Sequence, residues 1–410
     1  MSVGRAILRL LIFVLAVFGL EYYAFEAIST ASSLVSENLR VVIHWIYWMI
    51  PVAVLVTLFY FFWNRGRNRQ KKSFVYWRAS LFAIYLFKLL LVPFMLIDDI
   101  RRIGLMLFSD VAPIERSLII ALIALVCAAI PFVLVVYGML RNPFRYKIFR
   151  EEIPLSKLPE NLDGLRIVHI SDFHAGSFMS RQPVTRIVEL INSLDADLVF
   201  FTGDLVNSVA SEFDGFREIL DGIKAKYGIY SILGNHDYGD YVFWPEERMK
   251  RQNFEKLLDH HKTIGWDLLM NENRIIEING KQLAIIGVEN YSAKHHFPKY
   301  GNLAKAYTGT EAVPVKLLLS HDPSHWDEEI NVRFPDIDIT FSGHTHGFQF
   351  GIEIEGLIKW SPFKSMYKQW AGLYKKGTQF LYVNRGLGVL GYPGRVGMLP
   401  DISLLTLRKK

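Results

Sequence analysis

Cysteine is nearly missing from this chain of 410 residues: its one thiol, Cys127, lies inside an apolar run. No internal disulfide and no thiolate metal site can be built from it, which disfavours a closed structural zinc site. Acid is scarce in the first part. Residues 1–150 carry 17 Lys and Arg against 7 Asp and Glu, leaving 29 basic and 33 acidic side chains of the chain's 46 and 40 for the rest. The net charge of +6 therefore belongs to the first part, and the second lacks the basic field that would mark nucleic acid as a partner. Pairs of Gly/Pro-broken apolar segments, a sign of a transport pathway, are absent too, since Pro51, Pro93 and Pro131 are single interruptions.

What is present divides at about residue 150. Long apolar runs dominate before it, and four of them approach the ~20 residues that cross a bilayer: 7–28, 41–63, 74–97 and 118–140. The first would read as a signal peptide only with a small-residue cleavage site, which it lacks, and more spans follow it. The third is interrupted by Arg78 and Lys88, so a buried soluble helix is its alternative. The loops "NRGRNRQKK" (64–72) and "RNPFRYKIFR" (141–150) are strongly basic. The positive-inside bias then puts both termini, and the part beyond residue 150, on the cytosolic side of an inner membrane. Glu21 and Lys88 fall at similar depth in their spans, at ~1.5 Å rise per residue. Either they pair across the bundle, or each snorkels or faces a wet cavity.

From Leu165 the pattern changes to short apolar runs that end in polar clusters. "LRIVHI" leads into Ser171-Asp172-Phe173-His174, "DLVFF" into Thr202-Gly203-Asp204, and "GIYSIL" into Gly234-Asn235-His236-Asp237. "KLLL" leads into Ser320-His321-Asp322, and "IDITF" into Ser342-Gly343-His344-Thr345-His346-Gly347. Such runs read as buried strands. Helical stretches at 183–194, 212–224 and 246–263 separate them, and Asn279-Gly280 is placed as a two-residue hairpin turn. Strands alternating with helices predict an α/β layered domain, whose functional groups gather beyond the carboxyl ends of the strands.

Collected there, Asp172, His174, Asp204, Asn235, His321, His344 and His346 offer carboxylate, imidazole and amide oxygen, the donor set for Mn²⁺, Fe²⁺ or Zn²⁺. Seven donors exceed the needs of one ion, whereas two ions ~3.5–4 Å apart would use them all. Two cations would neutralise phosphoryl oxygens and make hydroxide available from a shared water near neutral pH, so no serine nucleophile is required.

The clusters read "DFH", "GD", "GNHD", "SHD" and "GHTH", in the order D-x-H, G-D, G-N-H-D/E, H, G-H-x-H. This series resembles the calcineurin-like metallophosphoesterases over roughly residues 165–407. The resemblance implies that Asp172, His174 and His346 bind one metal and that Asn235, His321 and His344 bind the other. Asp204 would bridge them, and His236 would serve as an acid or charge-stabiliser at the phosphate. Asp237 would orient that imidazole or, alternatively, cap a loop. The stretch "YVNRGLGVLGYPGRVGMLPDISLLTL" (382–407) is similar to membrane-associated bacterial members, among them enzymes that cleave the diphosphate of UDP-2,3-diacylglucosamine. Arg385 and Arg395 in it would reach a phosphate or hold a turn. His169 is expected in the core or on the sheet surface. His260-His261 and His295-His296 lack a strand-end position and are not expected as ligands. The aromatic segment "WSPFKSMYKQWAGLY" (360–374) would pack or line an acyl groove.

The expected fold is a four-layer α-β-β-α metallophosphoesterase sandwich over 165–410. An all-α four-span domain over 1–145 and a juxtamembrane linker over 146–164 precede it. The expected activity is hydrolysis of a phosphate ester or diphosphate, possible substrates being lipid-linked, at two divalent metal ions. The alternatives are soluble nucleotides or phosphoproteins as substrates, or a non-catalytic membrane sensor. The bilayer and a phosphorylated small molecule or lipid are the partners implied; oligomeric state is not legible.

Overall fold

The computed structural model describes residues 3–63, 72–108, 113–294, 297–354 and 357–410. Most of the basic loop at 64–72, and His295-His296, lie outside these. The chain divides into two compact units, Met1–Tyr137 and Gly138–Lys410.

Four helices are long and apolar enough to cross a membrane: α1 Val3–Ala31, α2 Glu37–Trp63, α3 Lys72–Phe108 and α4 Leu118–Leu140. Helix α3 outruns its expected end at 97. Asp98 and Asp99 pair with Arg101 and Arg102 one turn on, which lets a polar sequence continue the helix. The buried cluster among these helices is built on small residues, Ala24, Ala27, Ala124 and Ala128, with Leu91 and Met95. Small side chains let helix backbones approach closely where no hydrophobic effect drives them together. Glu21 and Lys88 do pair: Lys88 Nζ donates to both carboxylate oxygens, at 2.7 and 2.6 Å, and the Tyr47 hydroxyl donates to Glu21 Oε2 at 2.7 Å.

In the second unit the strands begin with β1 Lys147–Leu155, β2 Arg166–Ile170, β3 Leu198–Phe201, β4 Ile229–Ser231 and β5 Asp267–Leu268. There follow β6 Glu272–Ile278, β7 Lys281–Gly287, β8 Val315–Leu319, β9 Ile339–Ser342, β10 Ile352–Ile354 and β11 Ile358–Trp360. Next come β12 Gly372–Lys376, β13 Gln379–Val383 and β14 Asp401–Lys409. One sheet has the order β1-β14-β2-β3-β4-β5, the other β12-β13-β9-β8-β7-β6, and β10-β11 stand apart as a pair. All five strand runs picked out in the sequence are present. So is the hairpin, with Asn279 and Gly280 both at positive φ (51° and 74°), as a two-residue turn between twisted strands requires.

Alternation along each strand makes the layers. Ile167, Leu198 and Phe200 face Leu317, Leu319, Ile339 and Phe341 of the other sheet in one buried cluster. Their neighbours Val168, Val199 and Phe201 turn outward against Val184, Ile187 and Ile191 of α5 (Gln182–Asn192). On the far side Ile286 and Leu318 meet Leu303, Ala306 and Trp326. Helix, sheet, sheet and helix thus form the expected four layers.

Two local expectations fail. The segment 146–164 is no plain linker, since β1 pairs in parallel with β14 along its whole length and forms the sheet edge. Alternating apolar Phe149, Ile153 and Leu155, buried while their neighbours stay wetter, are the signal for it. Over 212–224 there is only a 3₁₀ turn, Ala210–Phe213, and the one-turn helix α6, Arg217–Leu220. Gly215 and Gly222 break the run, and the Glu212 carboxylate folds back onto the N–H groups of Asn207 and Val209. Helix α7, Glu247–Thr263, matches its expectation.

Candidate metal centre

The five polar clusters converge because β2, β3, β4, β8 and β9 all end on one edge of the two sheets, where their loops meet. The turns are tight. Asp172, His174, Asp204, His344 and His346 all adopt left-handed backbone (φ 50°, 47°, 60°, 69° and 52°), uncommon for residues other than glycine. Strain at so many candidate ligands fits a site whose geometry is held by its surroundings. Glycine permits the approach: a Cβ on Gly343 would overlap the side chains of Ser171 and Asp172, and one on Gly234 would overlap Asp204.

Six of the seven candidate ligands are buried. Two groups of three offer ligand atoms within 4.8 Å of one another: Asp172, His174 and His346, and Asp172, Asp204 and His321. His174 Nε2 lies 3.0 Å from His346 Nε2 and 3.5 Å from Asp204 Oδ2, and His321 Nε2 lies 3.3 Å from the same oxygen. His344 Nδ1 is 2.8 Å from Asn235 Oδ1 and 3.3 Å from His321 Nε2. Two outward nitrogens are tied down. His321 Nδ1 donates to the Thr202 carbonyl at 2.6 Å, and His174 Nδ1 to that of Val206 at 3.2 Å. A neutral ring that donates outward, as at His174, presents a lone pair inward, which is how metal-binding histidines are held.

The electrostatics fit a cation. Burial lowers His174 to about 3 and His344 to about 4, so both stay neutral donors. Burial, helped by Asp204, pushes Asp172 up to about 6. At His321 burial acts downward, but the Asp204 and Asp172 carboxylates outweigh it and raise the imidazole to about 10. Asp204 is correspondingly held well below the usual carboxylate range, His321 outweighing the upward effect of burial. One imidazolium is thus set against two buried carboxylates, with the Arg395 guanidinium also acting on Asp172. Inward-facing nitrogens that abut one another, with carboxylates between them, suit a divalent metal of the Mn²⁺, Fe²⁺ or Zn²⁺ type.

Some expectations need correction. Asp237 does not touch the His236 ring. Its carboxylate accepts from the backbone N–H of Asp204, Leu205 and Gly234, each at 2.9 Å, so it clamps two ligand loops together. The His236 ring is set instead by the Asn207 carbonyl, 2.6 Å from Nδ1, and by stacking on Tyr241 at 4.3 Å. Arg385 is buried, and its guanidinium is taken by Glu353 and by Asp401 (2.7 Å). Arg395 is buried too, and donates to the carbonyls of Gly386 and Gly388. Both hold turns, since burial forces a guanidinium to find partners in the fold. His169, His260 and His261 are core residues bonded to Thr202, Ala210 and Ser231.

Sequence reasoning missed Tyr367. Its hydroxyl sits 2.8 Å from His344 Nε2 and donates to Asp322 Oδ2 at 3.2 Å, completing a carboxylate–phenol–imidazole chain behind a candidate ligand. Asp322, adjacent to His321 in sequence, was the only available clue.

With this geometry in view, comparison with known proteins is informative. Residues 165–348 match the family model for calcineurin-like phosphoesterase, and residues 5–143 match that for the transmembrane domain of probable calcineurin-like phosphoesterases. The chain belongs to the calcineurin-like phosphoesterases that carry a four-span transmembrane domain. Among its relatives are the transmembrane proteins with metallophosphoesterase domain of Danio rerio and Bos taurus. They are 32% and 29% identical over 72% and 73% of this chain. The matches span 63% and 65% of those proteins, less than two thirds of their length. The uncharacterized metallophosphoesterase YkuE of Bacillus subtilis is 27% identical over 66% of this chain and 90% of its own. Similarity thus extends beyond the bacterial subgroup suggested by the C-terminal stretch, and none of these names states a substrate.

Proposed function

We propose that the protein is a membrane-anchored hydrolase that cleaves a phosphate ester or diphosphate on a lipid-linked substrate, using two divalent cations, from the cytosolic face of an inner membrane. The observation that carries the reading is the pair of buried three-donor groups sharing Asp172. Asp172, His174 and His346 would hold one ion and Asn235, His321 and His344 the other. Asp204, in contact with both His174 and His321, would lie between them. When bound, such a pair supplies Lewis acidity for phosphoryl oxygens and an activated water. The chain's own groups do the rest. With His236 Nδ1–H donated to the Asn207 carbonyl, Nε2 is the ring atom left for the substrate, and it passes a proton to the leaving oxygen when the ring is in its imidazolium form. Asp237 and Arg395 keep the ligand loops in place rather than meeting substrate. Four spans confine the enzyme to the surface where a lipid-linked phosphate is concentrated, which raises its effective concentration.

The test uses the full chain in lipid nanodiscs with Mn²⁺, offered UDP-diacylglucosamine, phosphatidic acid, cyclic nucleotides and bis-p-nitrophenyl phosphate in parallel. The expected result is chelator-sensitive turnover that favours the lipid-borne phosphates. Cleavage of soluble compounds alone would remove the lipid assignment, and turnover that survives chelation would remove the metal mechanism.

A further inference from the structure

The β10–β11 hairpin is inside out for a water-soluble protein. Its antiparallel register sets Ile352 opposite Trp360 and Ile354 opposite Ile358, with Glu353 opposite Lys359 between them. Because side chains alternate across a strand, the four apolar residues share one face and the charged pair the other. The charged face is the one fastened to the domain. Glu353 is held by Arg385, and Lys359 Nζ donates to the Ala371 carbonyl. The apolar residues are left open, Ile352 and Trp360 at 52% and 44% exposure. Leu357, Phe363 and Met366 beside them are exposed as well. A cavity of about 470 Å³ lies between the hairpin and β1, lined by apolar Phe149, Ile358 and Leu373 and by charged Arg150, Glu151 and Lys359 alike. Apolar side chains gathered at this density on a surface mark an interaction site.

Within the second unit the hairpin is connected both to the end of a membrane helix and to the metal centre. Gly138 and Asn142, at the end of α4 and just past it, hydrogen-bond Arg395. Its neighbour Val396 bonds Gln349 and Gly351 at the foot of β10. In the other direction, the chain leaving β11 runs through exposed Phe363, Lys364 and Met366 to buried Tyr367, whose hydroxyl meets His344. Within this unit the foot of the hairpin is thus bonded, through Val396 and Arg395, to the stretch of chain that leaves α4.

We propose that this hairpin, with the exposed residues up to Met366, lies in the headgroup boundary of the bilayer and holds the mouth of the metal centre against it. The inference rests on the membrane-anchored reading above and adds the element that makes contact. Trp360 is a residue type that prefers the membrane–water interface, while Lys364 and Lys368, both exposed, sit at headgroup level facing anionic lipid. Tyr367 then carries the position of the hairpin to His344. A lipid-borne phosphate would reach the metals without its acyl chains leaving the membrane.

The test is a depth measurement on the full chain. In a Cys127→Ser background, Leu357→Cys is labelled with a nitrobenzoxadiazole dye and reconstituted into phosphatidylcholine–phosphatidylglycerol vesicles carrying doxyl-labelled lipid. Lys281→Cys, exposed at the start of β7 beside the β6–β7 turn, is the reference. The expected result is blue-shifted emission at 357 that the doxyl lipid quenches, with neither effect at 281. A water-like label at 357 overturns the proposal. So does a blue-shifted label that doxyl lipid leaves unquenched, since that places a protein partner on the face. The readout needs no turnover, so its failure is distinguishable from absent Mn²⁺-dependent hydrolysis of bis-p-nitrophenyl phosphate, which would defeat the phosphoesterase reading instead.

Discussion

Each unit buries a cluster of charges, and the two are completed differently. In the membrane unit one carboxylate, Glu21, meets one ammonium, Lys88, and one hydroxyl, Tyr47, with every contact at 2.6–2.7 Å. Donors match acceptors and the charges cancel. In the phosphoesterase unit, Asp172, Asp204 and the rings of His174, His321 and His346 crowd together, with the His174 and His346 nitrogens only 3.0 Å apart. Buried charge is tolerated when it is compensated. The first cluster finds its compensation within the chain and acts as glue between helices. The second is arranged for compensation from outside, which is what separates a site from a fastener.

The largest expected effect is in the second cluster. Asp204→Asn should lower Mn²⁺-dependent turnover by about 10³-fold, the scale of losing a central electrostatic group. Mn²⁺ at about a hundred times its dissociation constant should add about 2.7 kcal/mol to the stability of the wild-type unit and little to the variant. Steady-state rates and thermal unfolding with and without chelator check both. If the variant gains equally from Mn²⁺, the contrast between the clusters is wrong.

Breaking the first cluster should give a different pattern. Glu21→Gln strands the Lys88 ammonium, at a cost of about 3–5 kcal/mol. The double substitution Glu21→Gln with Lys88→Met should cost less than that single, as judged by thermal unfolding in detergent. Hydrolysis per folded molecule should be unchanged. Simple additivity would mean that the pair contributes nothing as a pair.

Tyr367→Phe removes the hydroxyl behind His344. Changes of this kind weaken metal affinity about 10- to 100-fold, measurable by titrating Mn²⁺ into the metal-free protein. Asp237→Asn tests the loop clamp instead and should act through stability more than through affinity.

The smallest effect is on acid stability. Burial holds His261 at about 3 in the folded protein against its ordinary 6.5. Below pH 6.5 the unfolded chain takes up a proton that the folded chain refuses until about pH 3, so stability falls as pH drops through that window. The loss is about 1.4 kcal/mol per pH unit at most for one such group. Urea unfolding at pH 7 and pH 5 should show a shallower pH slope in His261→Gln, whatever its absolute stability.

Much of this was legible in the sequence because period and punctuation carry it. Apolar runs of about 20 residues are long enough to span a bilayer, and strand runs ending in Gly, Asp or His placed the converging loops correctly. Depth brought Glu21 and Lys88 together as one of two alternatives, and the ion pair decided it. What stayed open are the cases where a side chain's partner is set by tertiary structure. Arg385 read equally as a phosphate contact or a turn holder, and Glu353, 32 positions away, takes it. Asp237 read as an orienter of His236 or a loop cap, and four backbone N–H groups from two loops bond it. Tyr367 sits in an aromatic stretch where nothing local distinguishes it from packing. The strand β1 was passed over because a charged segment after a membrane helix reads like a tether.

That strand also sets a clock. Lys147 of β1 faces Asp401 of β14, about 250 residues later. At about 5–20 residues per second, a ribosome takes roughly 10–50 s to cover that interval. Through that time the four spans can already be inserted while β1, a few residues beyond the last of them in the chain, waits as an open edge. The sheet carrying Asp172 and Asp204 is joined to its outer strand only when β14 arrives between β1 and β2. Translation therefore orders assembly, the membrane spans coming first and closure of the sheet that frames the candidate metal centre coming late.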